Sequence, residues 1–222
     1  MFVISLFFNI FDLKGTIAAL IVGIIIVVAG SLYWLILMLI FAVTAYLATK
    51  YKLQEKIKSK FQEGEKGERH ASNVIYAAII GVTIALVNIS KFHNIPYFEL
   101  FGVSFASVNA DTFASELGIF DKNVYLITNF KKIVPGINGG ISKLGELSAV
   151  IGALIIGVSY SLLNFHNFTL YPILIITLLG FIGCQVDSVL GALFENKNKM
   201  SKGQVNAIST LVAVILGFLI YL

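Results

Sequence analysis

Apolar runs of membrane-spanning length recur along the whole chain and constrain its fold more than any other feature. A helix needs about 20 mostly apolar residues to cross the roughly 30 Å hydrocarbon core of a bilayer. Of the 222 residues, 58% are hydrophobic and only 13% are charged, whereas a soluble domain is about 25% charged. The sequence therefore predicts an all-α polytopic transmembrane helix bundle, with about seven spanning helices in a single domain, residues 1–222. The runs are 15–30, 32–49, 73–92, 97–117, 145–163, 169–194 and 204–222.

The beginning of the chain differs from the spanning runs. Residues 1–11 are apolar but too few to span a bilayer, and Asp12 and Lys14 follow them at once. They lack the charged start and the small-residue cleavage site of a signal peptide. We interpret this segment as a short interfacial or half-inserted helix. Further along, Gly30-Ser31 predicts a tight hairpin between the first two spanning helices.

The distribution of positive charge predicts the orientation of the bundle. If Lys14 is cytosolic, the loops 50–72, 118–144 and 195–203 are cytosolic too. Together these regions hold all of the sixteen Lys and Arg residues except Lys91. Cytosolic loops of membrane proteins carry such an excess of Lys and Arg. The basic balance is therefore a signal of topology and does not indicate a nucleic-acid partner.

Carboxylates inside two apolar helices are the strongest functional signal. Asp111 and Glu116 lie near the end of the run 97–117, and Asp187 lies about two turns before the end of the run 169–194. Ionisable residues in membrane helices are costly and usually functional. Because both helices descend to the cytosol in the predicted topology, we expect these acids at the same depth, in one site on the cytosolic face.

The residue types around these acids favour magnesium. Ser115 follows Asp111 by one helical turn, so the helix end presents carboxylate and hydroxyl oxygens together. Mg²⁺ prefers such hard oxygen ligands, keeps several waters, and is bound by one or two carboxylates plus substrate phosphates. Zinc fits poorly because the softer ligands are scattered along the chain. These softer ligands are His70, His93, His166 and Cys184.

Glycines accompany the acids in two places. Gly180, Gly183 and Gly191 lie on the same helical face as Asp187, where bare backbone permits close approach of either a second helix or a ligand. The loop 136–145 is also rich in glycine and leads into a helix. Backbone N–H groups and a helix N-terminus bind phosphate well, so this loop is a candidate phosphate cradle. Positive residues flank it, namely Lys131, Lys132 and Lys143.

A succession of short motifs extends over nearly the whole chain. It comprises Arg69 with Asn73, then Asp111-Thr112-x-x-Ser115-Glu116-x-Gly118, Gly136-x-Asn138-Gly139-Gly140-x-Ser142, Gly183-x-x-x-Asp187-Ser188 and Val205-Asn206. In this order the motifs resemble an integral-membrane family that contains plant phytyl-phosphate kinase and transmembrane protein 19. The chain departs from the family pattern at Phe113, at Ile137 and at Ala77-Ala78.

The resemblance implies an enzyme that transfers the γ-phosphate of a nucleotide, with CTP favoured, to a prenyl monophosphate such as phytyl or geranylgeranyl phosphate. The product is the diphosphate. On this interpretation Asp111 and Asp187 hold Mg²⁺, and Glu116 either completes the metal shell or orients the acceptor. The residues expected to bind the phosphates and the substrates are Arg69, Asn73, Thr112, Ser115, Lys131, Lys132, Asn138, Gly139, Gly140, Ser142, Ser188 and Asn206.

The residue inventory bears on the acceptor as well. A prenyl alcohol needs a general base, whereas a prenyl monophosphate is already anionic and chiefly needs cations. Cations are abundant on the predicted cytosolic side and His70 is the one histidine there, so the inventory favours the phosphate acceptor.

Two other classes of protein stay open. A CTP-dependent lipid-alcohol kinase or a CDP-alcohol-type transferase would use similar carboxylates and Mg²⁺. A cation-coupled transporter would also place acids inside helices, but near the membrane midplane and with access from both sides. The predicted partners are the prenyl-phosphate lipid and the membrane lipid, and the sequence leaves open whether the chain forms a homodimer.

Overall fold

The computed structural model of this protein describes residues 12–59, 70–92, 95–164 and 169–221. Within them, seven long helices match the seven apolar runs, which confirms the prediction of a helical bundle. The interfacial segment 1–11 and the predicted site residue Arg69 lie outside the described residues. The helices are α1 (Leu13–Ala29), α2 (Leu32–Lys50), the short α3 (Leu53–Lys58), α4 (Ala71–Asn88), α5 (Tyr97–Gly118), α6 (Lys143–Leu163), α7 (Leu170–Leu193) and α8 (Lys202–Tyr221).

The helices have the length and composition of a polytopic membrane protein. Among the described residues, α2, α4, α6, α7 and α8 are each long and apolar enough to cross a bilayer, and α1 is a shorter apolar helix of 17 residues. The predicted hairpin between the first two helices is also present, since α1 ends at Ala29 and α2 begins at Leu32. The all-α membrane class is therefore confirmed.

The helix α5 forms the centre of the bundle. It contacts α2, α4, α6, α7 and α8, and every residue from Leu100 to Ala110 is buried. This shielding from lipid lets α5 carry polar residues that a lipid-facing helix would avoid. Asn109, which is fully buried, donates to the backbone oxygen of Gly152 on α6 at 2.8 Å and accepts from the Thr44 hydroxyl on α2 at 3.2 Å. These bonds fix α5 between its two neighbours.

Close helix packing explains two of the glycines near Asp187. A Cβ atom on Gly180 would lie 2.7 Å from the Cβ of Ala106, and one on Gly183 would meet the side chain of Ser107. Both neighbours belong to α5, so at these two positions the glycine face receives a second helix. The approach of α7 to α5 brings Asp187 to the same end of the bundle as Asp111.

A small antiparallel sheet interrupts the long loop between α5 and α6. Its strands are β1 (Val124–Leu126), β2 (Lys132–Ile133) and β3 (Gly140–Ile141), in the order β2-β1-β3. Tyr125 is opposite Lys132 on one side and Ile141 on the other. These strands were not predicted, because two or three residues are too few for an alternating pattern. The sheet returns the glycine-rich segment to the ends of α5 and α7.

A polar contact joins the starts of α1 and α4, at the same end of the bundle as this loop. The ring nitrogen Nδ1 of His70 lies 2.8 Å from Oδ2 of Asp12, and the backbone N–H of Gly15 donates to the other oxygen of Asp12. The hydrogen bond with His70 is the main cause that lowers the pKa of Asp12, followed by the bond from Gly15. His70 therefore joins the start of α4 to the start of α1.

Candidate functional site

A polar pocket of about 260 Å³ opens where the glycine-rich loop meets the ends of α5, α7 and α8. It brings together most of the predicted site residues, although they come from distant parts of the sequence. The polar and glycine residues that line it include Asp111, Ser115, Asn138, Gly139, Gly140, Ser142, Glu146, Asp187, Ser188, Glu195 and Lys202.

Asp187 is held in place from the neighbouring helix α8. The Ser209 hydroxyl donates to Oδ2 of Asp187 at 3.0 Å. With its amide oriented to satisfy its neighbours, Asn206 donates to the same oxygen at 3.0 Å and to the backbone oxygen of Lys202 at 3.1 Å. Because both bonds reach one oxygen, they fix the carboxylate orientation. Ser209 was not among the predicted site residues, although it follows Asn206 by three positions on one helix face.

Asp111 borders a second, smaller pocket as well. This cavity, of about 40 Å³, shares Asp111, Ser115 and Lys202 with the main pocket. The predicted residues Asn73, Thr112, Glu116 and Asn206 line it, together with Tyr76. Most of the predicted site residues are thus divided between two adjoining cavities, with Asp111 and Ser115 lining both.

Glu116 has partners that the sequence analysis did not foresee. Its Oε2 lies 2.7 Å from Nζ of Lys56, and its Oε1 accepts from the Thr49 hydroxyl at 2.8 Å. The Lys56 side chain is fully buried, and it also donates to the backbone oxygens of Ala48 and Thr49 at 2.9 and 3.1 Å. Lys56 therefore satisfies free carbonyl groups at the end of α2. Through its two carboxylate oxygens, Glu116 ties both α2 and the short helix α3 to α5.

The glycine-rich loop lies directly on the end of α7. Gly139 has φ +77°, a backbone conformation that favours glycine, and a Cβ there would lie 2.5 Å from both the Ser188 backbone oxygen and the Ala192 Cβ. Gly191, the third glycine on the Asp187 face, packs against Asn138 and Gly139 of this loop. Glycine at these positions allows the loop to form one wall of the pocket.

The start of α6 forms the adjoining wall. Ser142 caps this helix, its hydroxyl oxygen accepting from the backbone N–H of Gly145 at 3.1 Å. Asp121 accepts from the backbone N–H groups of Asn123 and Leu144, and these two bonds lower the pKa of its carboxyl group. In the next turn, Glu146 accepts from the Gln185 side chain at 2.8 Å. The pocket therefore borders the first turn of α6, and the phosphate cradle stays a prediction.

The lysines are distributed differently from the prediction. Lys131, Lys132 and Lys143 are exposed and do not line the pocket, and Lys132 donates to the Asn123 side chain at 2.9 Å. The cation that does border both cavities is Lys202, in the first turn of α8. Its position four residues before Asn206, one helical turn away, is the sequence signal that could have identified it.

The donor set fits magnesium bound together with a substrate. Among the described residues, no group of three or more His, Cys, Asp or Glu side chains could hold a metal ion by itself. Asp111 and Asp187 would offer two hard oxygen ligands from two helices, the kind of ligand that Mg²⁺ prefers when it is bound together with a phosphate substrate. Cys184 also lines the pocket but is a lone buried thiol, so zinc remains a poor fit.

Comparison with known proteins identifies relatives over nearly the whole chain. Residues 1–218 match the family described as Integral membrane protein DUF92. The uncharacterized membrane protein MJ0933 of Methanocaldococcus jannaschii is 34% identical over 213 residues, which are 95% of this chain and 85% of that protein.

Two plant relatives are more distant. Protein PGR of Arabidopsis thaliana is 31% identical over 209 residues, covering 83% of this chain and 72% of its own length. Protein VTE6, chloroplastic, of the same plant is 27% identical over 180 residues, which are 76% of this chain and 54% of that protein. No solved structure matches the chain.

Proposed function

Because this chain belongs to the integral membrane family DUF92, we propose that it is a membrane-embedded prenyl-phosphate kinase. It would transfer the γ-phosphate of a nucleoside triphosphate, with CTP favoured, to phytyl or geranylgeranyl monophosphate. The observation that carries the proposal is the pairing of Asp111 and Asp187 in one pocket with a glycine-rich loop and a helix N-terminus. The resemblance of these motifs to the family that contains phytyl-phosphate kinase supports the substrate class.

The charge of the pocket supports a divalent cation as the cofactor that accompanies the nucleotide. Among the described residues that line it, four are carboxylates and one is the lysine Lys202. A nucleoside triphosphate would be repelled by these carboxylates unless a metal ion screened its charge. Asp111 and Asp187 would hold Mg²⁺, which when bound neutralises charge on the transferred phosphoryl group. The other two carboxylates are Glu146 and Glu195.

The remaining residues of the pocket would position the phosphates. Ser209 and Asn206 hold the Asp187 carboxylate toward the site, and the backbone of Gly139 and Gly140 lines the wall opposite α5. Lys202, with Ser115 and Ser188 nearby, offers an ammonium group and hydroxyls for phosphate oxygens. Phosphoryl transfer requires mainly positioning and electrostatic stabilisation of this kind.

The proposed transfer of the γ-phosphoryl group does not require a general base. An oxygen of the prenyl monophosphate forms a bond to the γ-phosphorus of the nucleotide. The bond from that phosphorus to the bridging oxygen breaks, and the nucleoside diphosphate leaves. Because the attacking oxygen is already ionised at neutral pH, no proton has to be removed from it.

One observation favours a second candidate function. The pocket lining is rich in carboxylates, and the lysines that favoured a phosphate acceptor lie outside it. A carboxylate could serve as general base for a prenyl alcohol, as a lipid-alcohol kinase requires. The measurement that decides between the two functions is therefore whether the protein phosphorylates a prenyl monophosphate or a prenyl alcohol.

A product assay tests the proposed reaction. Purified protein with Mg²⁺ is supplied with labelled CTP, ATP, GTP or UTP, and with geranylgeranyl monophosphate or geranylgeraniol. We expect diphosphate from the monophosphate and little turnover of the alcohol, with loss of activity on chelation of the metal. Phosphorylation of the alcohol while the monophosphate is inert would overturn the assignment in favour of the lipid-alcohol kinase.

We also propose that the pocket faces the cytosol, since residues of the lysine-containing loops 118–144 and 195–203 line it. Cysteines introduced at the exposed residues Lys132 and Lys199 should react only with reagent added to the cytosolic side. A cysteine at Ser90, which is exposed after the other end of α4, should react only from the opposite side. The native Cys184 is buried and gives little background. Labelling of Lys132→Cys from outside would contradict the orientation.

A further inference from the structure

We propose that an apolar groove between α2 and α6 binds the isoprenoid chain of the acceptor, an inference that rests on the proposed function. The groove has a volume of about 540 Å³ and lies over the last turns of α5. It is separate from the two polar cavities. Its apolar lining comprises Leu47, Phe113, Leu117, Phe120, Leu144 and Ile155.

The groove is a place where the central helix is accessible from the membrane. Other helices bury α5 through most of its length, but between α2 and α6 it presents Phe113 and Leu117 to the groove. The same two turns present Asp111 and Ser115 to the polar pocket. In a helix these two pairs lie on roughly opposite faces. One helix end therefore borders both an apolar site and a polar site.

Only a thin wall separates the groove from the pocket. Leu117 and Leu144 line the groove, and the residues that follow them, Gly118 and Gly145, line the pocket. The two glycines pack against each other, and a Cβ added to Gly118 would lie 3.1 Å from the Cα of Gly145. The Ser142 hydroxyl lies beside this crossing, 3.1 Å from a Cβ added to Gly145. The groove and the pocket are therefore separated by the thickness of one backbone contact, so the phosphate of a lipid held in the groove would lie close to the pocket.

The two ends of the groove suit a lipid with an anionic head. At the mouth, Nζ of Lys52 lies 5.2 Å from the centre of the Phe120 ring, which places an ammonium group beside aromatic residues. The apolar part extends along α6 from Leu144 to Ile155, a distance of about 16 Å at 1.5 Å per helical residue. Lys52 also pairs with the exposed Glu55 at 3.6 Å, a contact that an exposed ammonium group can exchange for a phosphate. An ammonium group beside a long apolar channel suits a phosphate attached to an extended hydrocarbon chain.

A pair of tryptophan variants on α6 tests this assignment. Ile155→Trp fills the groove, whereas Leu154→Trp alters the adjacent position, which is exposed and does not line it. We expect Ile155→Trp to raise KM for geranylgeranyl monophosphate about tenfold or more, since apolar pocket contacts contribute on that order. Its KM for the short dimethylallyl monophosphate should be unchanged, and Leu154→Trp should match the wild type with both. Equal effects on the two acceptors, or equal effects of the two variants, would overturn the proposal.

Photolabelling provides a measurement that does not depend on turnover. A geranylgeranyl monophosphate analogue with a diazirine at the chain end should label α2 and α6 in the wild type and much less in Ile155→Trp. Excess geranylgeranyl monophosphate should compete, and phosphatidylglycerol should not. Equal competition by phosphatidylglycerol would mean that bulk lipid occupies the groove, and labelling confined to other helices would also contradict us. Groove labelling without any diphosphate synthesis would instead refute the proposed reaction alone.

Discussion

Replacement of Asp187 by Asn is expected to lower the rate of diphosphate formation by more than about 100-fold, because residues that merely support a metal ligand already contribute 10–100-fold. Asn has nearly the same shape and can still accept the hydrogen bond from Ser209. The variant should therefore insert and fold. The variant loses the negative charge that is proposed to bind Mg²⁺ together with the phosphates. Asp111→Asn should lower the rate to a similar extent.

A graded series makes this prediction specific. Ser209→Ala removes one of the bonds that orient Asp187 and should cost roughly 10–100-fold, with a higher Mg²⁺ concentration needed for half-maximal activity. Glu55→Gln is the matched control, since Glu55 is an exposed carboxylate of α3 outside both polar cavities. Each variant is assayed across a Mg²⁺ titration. Near-normal turnover of Asp187→Asn at ordinary Mg²⁺ would remove this residue from the metal site.

Breaking the buried pair between Lys56 and Glu116 is expected to have the second largest effect. Either Lys56→Met or Glu116→Gln leaves one buried partner uncompensated, which typically costs about 3 kcal/mol or more of unfolding free energy. The double variant should recover much of this loss, because it removes both charges together. The matched control is the exposed pair Lys52 and Glu55, whose neutralisation should cost about 0–1 kcal/mol.

The same variants distinguish two roles for Glu116. If Glu116 acts through Lys56 to position α3 and α5, the half-maximal Mg²⁺ concentration stays unchanged and the two single variants lose similar activity. If Glu116 binds the metal, Glu116→Gln alone raises the Mg²⁺ requirement, and adding Lys56→Met does not restore it. Unfolding in detergent and Mg²⁺ titration together measure both quantities. A shifted Mg²⁺ requirement in Glu116→Gln would support metal binding, the alternative that the sequence analysis left open.

Length and hydrophobicity were sufficient to predict the helices. The apolar runs are long, and the break at Gly30-Ser31 lies where α1 ends and α2 begins. Asp111 and Asp187 were recognisable because a carboxylate in an apolar helix is rarely without a role. Their shared pocket also followed from the parallel course of their two helices. These features depend on local sequence, and a single sequence displays them directly.

The other features of the site depend on contacts between distant residues. Lys56 reaches Glu116 across 60 positions, and no local pattern distinguishes Lys56 from the other lysines of its loop. The lysines beside the glycine-rich loop were expected at the phosphates, but the strands β1 and β2 turn Lys132 toward Asn123. The position of Lys202 depends on how α8 packs against α7. The composition predicted which chemical groups the site contains, namely carboxylates, hydroxyls, glycines and lysines. Only the packing of the helices determines which individual residues reach it.

The polar central helix also has a consequence for biosynthesis. α5 carries three carboxylates, namely Glu99, Asp111 and Glu116, and it is not among the described helices that are apolar enough to span a bilayer by themselves. A translocon releases a segment into lipid according to its own hydrophobicity. The partners that shield α5 include Tyr160, which donates to Glu99 at 2.7 Å, and these are synthesised later. Although α2 and α4 also contact α5 and are made first, we expect stable integration of α5 to depend on α6. Chains truncated before α6 should then insert α5 less efficiently than chains that include α6, so that integration and tertiary folding of this region are coupled.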